Sequence, residues 1–268
     1  MHPLVDEMQA ALQKAGFDQT EDRPKLHIDG RRMDPRSIDL PLKGTAAHLA
    51  STNDKTFPPI AERLDVARLT ITEMRGVDLS ALTCCNRLTH LNITWATKLK
   101  NISLLGTCRN LQFLEITDAP KITDLSAIGH LKNLRVLIYR GGIWNANRAD
   151  TLDPLAELDC LEVLCLQNLR VSLGGLRPLA ALTGLKDLFL SNQFDTADYA
   201  FLAAHLTGTA CDQFSPYETL KSEIGGCNVK VTGKRKPFLD TRKPKDQARL
   251  EKYVRAFNAL KDGFKSEN

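Results

Sequence analysis

The chain has 268 residues, of which 43% are apolar, enough for one large domain with a real core or two small ones. The opening MHPLVDEMQAALQKAG has no basic stretch followed by an apolar run, and no segment approaches the ~18 apolar residues of a membrane span. Neither a secretory signal nor a spanning helix is expected. Seven cysteines without such a signal point to free thiols in a reducing cytoplasm.

The first element in chain order is a helix. Pro3 and Gly16 bracket a stretch with Leu4, Met8, Leu12 and Ala15 on one side. Residues 18–60 are polar and contain prolines, and they yield no firm element. Six related segments then follow: VARLTI (66–71), LTHLNI (88–93), LQFLEI (111–116), LRVLIY (134–139), LEVLCL (161–166) and LKDLFL (185–190). Their starts are spaced by 22, 23, 23, 27 and 24 residues. Counting back nine, six and three residues from each later start gives a second set of columns: Leu79, Leu82, Cys85; Ile102, Leu105, Cys108; Leu125, Ile128, Leu131; Leu152, Leu155, Leu158; and Leu176, Leu179, Leu182.

The first half of each unit has the period of two of a strand with its leucines inward. The second half has the period of three of a 3₁₀-like return. One such coil cannot bury its own leucines, but stacked coils share a continuous core. Cys85 and Cys108 fall in an apolar column, so they are expected in the core, with no disulfide and no metal.

After the repeats, DTADYAFLAAHLTG (195–208) reads as a helix closing the last coil. A second helix is expected over about 246–262, from Leu250, Tyr253, Val254, Phe257 and Leu260, with Pro244 before and Gly263 after. It is expected to fold back on the last coil. The tail is basic: residues 228–268 hold 12 Lys/Arg against 5 Asp/Glu, while the rest holds 24 against 27.

The L-x-x-L-x-L units over residues 64–206 resemble those of the leucine-rich repeat family. ITDLSAIGHLKNL (122–134) is most similar to the 22–23-residue subclass of internalins and type-1 phosphatase regulators. The resemblance implies an α/β fold: a right-handed solenoid with a curved parallel β-sheet on its concave face. Its convex side would be irregular, 3₁₀ or helical, and helical caps would close both ends. The expected division is an N-terminal cap (1–63), about six repeats (64–208) and a C-terminal closing segment (209–268). The family usually carries an asparagine three residues after the last strand leucine, tying neighbouring coils. Here that position holds Ala96, Ala119, Gly142, Leu169 and Gln193, so something else must hold that edge.

No constellation of nucleophile, base or metal ligands appears. His90 and His130 lack a paired group, and VTGKRKP (231–237) lacks the glycine and hydroxyl of a phosphate loop. A non-enzymatic scaffold without cofactor is expected. The outward strand columns carry the signal for a partner. One reads Arg68, His90, Phe113, Val136, Val163, Asp187; the next reads Thr70, Asn92, Glu115, Ile138, Cys165, Phe189. Both turn apolar in the middle repeats, where a solvated face would stay polar. With Arg140 and Gln167 at its border, this patch is the expected contact for a protein partner; a covering segment of the same chain is the alternative. The four extra residues of the long unit fall in RGGIWNANRAD (140–150), placing Trp144 on a rim loop, either tucked in or offered outward. Lys234, Arg235, Lys236 and Lys243 form a candidate anionic contact, the basis of a second, nucleic-acid reading. The protein is expected to be a cytoplasmic monomer with no membrane partner.

Overall fold

An eight-stranded parallel sheet organises the molecule. The computed structural model describes residues 3–17, 26–31 and 42–266. Helix α1 (Pro3–Lys14) comes first, followed by β1 (Leu26–Asp29), β2 (Leu42–Ala50), the short α2 (Phe57–Ala61) and β3 (Leu64–Thr72). The repeats supply β4 (His90–Thr94), β5 (Phe113–Thr117), the single turn α3 (Ser126–Gly129), β6 (Val136–Arg140), β7 (Asn147–Ala149), β8 (Val163–Leu166), β9 (Leu169–Val171) and β10 (Asp187–Leu190). The chain closes with α4 (Thr196–His205), the strands β11 (Tyr217–Ile224), β12 (Cys227–Val231) and β13 (Phe238–Leu239), and α5 (Pro244–Lys265). Strand order in the main sheet is β1-β2-β3-β4-β5-β6-β8-β10, so each coil adds one strand beside its predecessor. This is a leucine-rich repeat solenoid.

The rear columns fold as the period of three requires. Leu79, Leu82, Cys85 and their equivalents through Leu182 are all buried. Short 3₁₀ turns at Ser80–Cys84, Ser103–Thr107, Asp153–Glu157 and Arg177–Ala181 carry them. Three of these turns, and α3, are entered through a corner held by a side chain: the amides of Ser80, Ser103, Ser126 and Asp153 donate to side-chain oxygens of Asp78, Asn101, Asp124 and Thr151. At the other corner Asn110 Nδ2 donates to the Asn86 carbonyl and Asn133 Nδ2 to that of Arg109. Asparagines therefore do tie neighbouring coils, but just before the strands rather than after them.

After the strands the edge is held differently. Ser51, Glu73, Trp95, Asp118 and Asn168 each follow a strand with φ between 45° and 58°. This left-handed step keeps the amides of Ser51, Glu73, Trp95 and Asp118 aimed at the next coil's carbonyl, at Thr72, Thr94, Thr117 and Arg140. Further along, the buried Tyr139 hydroxyl lies 2.9 Å from the Ile122 carbonyl and 2.8 Å from that of Arg148, and Asn147 Oδ1 accepts the Ala119 amide.

The sheet begins before the expected boundary at residue 64. Ala47 and Leu49 of β2 pair with Leu69 and Ile71, and Leu26 and Ile28 of β1 pair in turn with Ala47 and Leu49. A glycine and an alanine, Gly44 and Ala47, stand in leucine slots there, which hides the unit from a leucine pattern. Parts of the unassigned stretch, residues 18–25 and 32–41, lie outside the described residues. At the far end α5 runs through Gly263 to Lys265. Phe257 joins the main core, while Leu250 packs on Val229, Val231 and Leu239 of the small antiparallel sheet, with Val254 partly buried there. The closing helix thus covers that sheet as well as the end of the solenoid.

Candidate functional site

The apolar patch on the concave face exists, but it is not open. Phe113, Val136, Ile138, Val163 and Cys165 form one cluster with Met8, Ala11, Leu12, Ala15 and Phe17. The sheet residues are at most 4% exposed. Helix α1 lies on them, so the expectation of a free patch at these five positions is corrected: a segment of the same chain covers it. The reason is local chemistry at both ends of the contact. Met8, Ala11, Leu12 and Ala15 recur at helical spacing and make one apolar face. Gly16 (φ 81°) then ends the helix; its amide reaches the Gln13 carbonyl and the Phe17 amide reaches that of Leu12. That pairing turns Phe17 back beside Leu12. The Phe17 ring meets His90 at 5.2 Å and Phe113 at 5.8 Å, and the Arg135 guanidinium lies 5.2 Å from its centroid. Glu7 also pairs with Lys221 at 2.9 Å.

The other expected contact residues divide. Glu115 is buried and paired with Arg140 at 3.1 Å, and it accepts Asn92 Nδ2 at 2.8 Å; it holds the sheet face rather than facing a partner. Gln167, Asp187 and Phe189 are half-buried, the last two lining a cleft between α1 and the C-terminal turn at Cys211 and Asp212. The concave columns nearer the N-terminus are polar and half-exposed: His48, Arg68, Thr70, Thr72, Asn92 and Thr94. His27 and His48 approach through their Nδ1 atoms at 3.0 Å, and His48 Nε2 lies 2.9 Å from Thr72 Oγ1.

Burial, with Arg68 beside it, pulls His90 from 6.5 down to about 4. The unfolded chain therefore takes up a proton on this ring as pH falls through that window, while the folded chain does not. Stability is expected to decline from pH 6.5 toward 4, and His90→Gln should flatten that part of the profile, as thermal melts across the window would show. A decline as steep in the variant as in the wild type would exclude His90 as its source.

Burial pushes the Cys165 and Cys211 thiols up to about 12, which leaves them protonated and poor nucleophiles. Among the described residues no three His, Cys, Asp or Glu side chains gather as metal ligands, and no helix is long and apolar enough to cross a membrane.

Of the four basic residues singled out in the tail, two have partners within the fold. Lys236 Nζ sits 5.2 Å above the Tyr253 ring, and Lys243 pairs with Asp240 at 3.4 Å. Lys234 and Arg235 are exposed and line one cleft with Arg170. Trp144 is offered outward, at 90% exposure, beside Ile143 at 91%. A second tryptophan, not marked out by any sequence pattern, stands on the same rim: Trp95, 62% exposed, directly follows β4. Lys98 and Lys121 each lie three residues beyond their rim residue, and Arg148 pairs in register with Arg170 in the β7–β9 ribbon.

No family model matches the chain, and no curated protein matches it. Among solved structures it is similar to internalin C2 of Listeria monocytogenes, with 25% identity over 59% of this chain and 64% of that one, at a TM-score of 0.44. An internalin (InlF) of the same organism shows 21% identity over 63% and 54%, at 0.43. A leucine-rich repeat protein of Leptospira interrogans shows 14% over 59% and 44%, at 0.40. The chain spans less than two thirds of the length of each.

Proposed function

We propose that this leucine-rich repeat solenoid is a non-enzymatic scaffold whose concave face binds a protein partner. The observation that carries the proposal is the division of that face. Its middle repeats receive an amphipathic helix, α1, and so display the mode of recognition the sheet supports: a rod laid across in-register columns. Beside α1, the strip formed by His48, Arg68, Thr70 and Thr72 remains half-exposed and polar. The partner would lie on this strip against the flank of α1, with Phe189 and Asp187 reachable at the opposite side.

Affinity capture with the wild type and with an Arg68→Glu, Thr70→Arg double variant tests this. Both side chains point away from the core, so the melting temperature should stay within the small range of surface substitutions. The expected result is a partner retained by the wild type and weakened at least tenfold in the variant. Equal recovery by both proteins would place the binding surface elsewhere.

A further inference from the structure

The edge of the solenoid where the concave strands end carries an unusual pairing of side chains. Nine large apolar residues are exposed among the described residues, and five lie on this one edge: Val77, Trp95, Ile143, Trp144 and Leu173. Trp95 holds a left-handed backbone conformation (φ 54°) that a bulky residue disfavours, at a position where other coils carry Ser51, Asp118 or Asn168. Neither backbone preference nor the core accounts for an indole there.

Cations run through the same edge. Lys98, Lys121, Arg148 and Arg170 occupy corresponding places in four successive coils, at roughly one strand spacing of ~4.8 Å per step. Lys234 and Arg235 continue the row beside Arg170, in a cleft that Asp195 and Asp198 also line. None of the six makes an ion pair among the described residues. Of the nearby carboxylates, Asp118, Asp124 and Asp150 accept from the neutral donors Asn145 Nδ2, Ser126 and Thr123, and none of them pairs with a cation of the row.

We propose that this edge docks on an anionic membrane surface. Stacked coils advance by a constant step, so their edges lie close to a plane, the shape that meets a bilayer. Lysine and arginine lay their stems along apolar surface and hold their charges at lipid phosphates. Tryptophan favours the headgroup boundary, and the Ile143–Trp144 tip is the most exposed apolar point of the edge. Single-stranded nucleic acid would use the two indoles and the cations but leave Val77, Ile143 and Leu173 without a role. A protein interface would gather its apolar groups into a core with a polar rim, whereas here the two kinds alternate along the row. That no helix among the described residues can span a bilayer bears only on insertion, not on surface docking.

The chain has two tryptophans, and both lie on this edge, so intrinsic fluorescence reads the proposed contact directly. The test is co-sedimentation and fluorescence of the full chain with vesicles of phosphatidylcholine containing about a third phosphatidylserine, and with pure phosphatidylcholine. Binding and a blue shift are expected only with the anionic vesicles. Lys121→Ala with Arg170→Ala should lower partitioning roughly 30-fold, and Ile143→Ser with Trp144→Ala at least tenfold, at unchanged melting temperature. The proposal is overturned if the wild type stays in the supernatant with anionic vesicles, or if both double variants bind as it does. It is also overturned if a thymidine oligonucleotide quenches the tryptophans while vesicles do not. No protein partner enters the assay, so its outcome is independent of concave-face recognition.

Discussion

Phe113→Ala is expected to lower stability by about 3–5 kcal/mol, the cost of truncating a buried aromatic residue. Phe113 stands in an outward column, where an open sheet face would make the change nearly neutral, within about 0.5 kcal/mol. Instead it is 4% exposed, with Phe17 at 5.8 Å on one side and the His90 ring stacked at 5.8 Å on another. Truncation leaves a void between two preformed elements, a sheet and a helix. Neither can collapse into it without breaking register or lifting α1. Phe189→Ser, at the half-buried end of the neighbouring column, should cost clearly less. Urea unfolding of the two variants measures the difference; a Phe113 variant as stable as the wild type would mean the face is open.

Deleting residues 244–268 is expected to cost roughly 3–6 kcal/mol for Phe257 and Leu250 alone, at ~1.5–3 kcal/mol per buried side chain. Phe257 is 1% exposed and belongs to the main core; Leu250 seals the small antiparallel sheet. The deletion also removes Phe264, whose ring meets Phe201 edge-on at 5.3 Å while the Arg177 guanidinium lies over both rings. The apolar faces of α4 and of the small sheet would then be exposed. A lower melting temperature should therefore come with self-association in size-exclusion chromatography. A truncated chain that melts like the full one and elutes as a monomer would show that α5 is not a cap.

The repeats were legible because each coil repeats one packing solution. Leu79, Leu82 and Cys85 mean little alone, but five aligned triplets define a solenoid. Where the packing solution changed, legibility failed. β2 fills its inward slots with Ala47 and Leu49 under a neighbouring strand, and no leucine pattern marks it. The seat of α1 was illegible for a different reason. Its apolar face and the apolar columns of the sheet were each visible in the sequence, more than 90 residues apart, but nothing in a helical period names the surface it meets. Two unmatched apolar surfaces in one chain were the available signal. The cations of the strand-end edge were hidden by dispersion: Lys98, Lys121, Arg148 and Arg170 are scattered locally and become a row only through the stacking of coils.

Cys165 reports directly on the closure of the middle of the concave face by α1. Its side chain points outward from the sheet, yet it is fully buried beneath α1, whereas Cys160, five residues earlier, is exposed. Maleimide labelling of the native protein, followed by peptide mass spectrometry, compares the two thiols in the same molecule. Cys160 should label quickly and Cys165 should stay protected, and Leu12→Asp, which buries a charge in the seat of α1, should release that protection. Labelling of Cys165 in the native wild type at the rate of Cys160 would contradict the closed face.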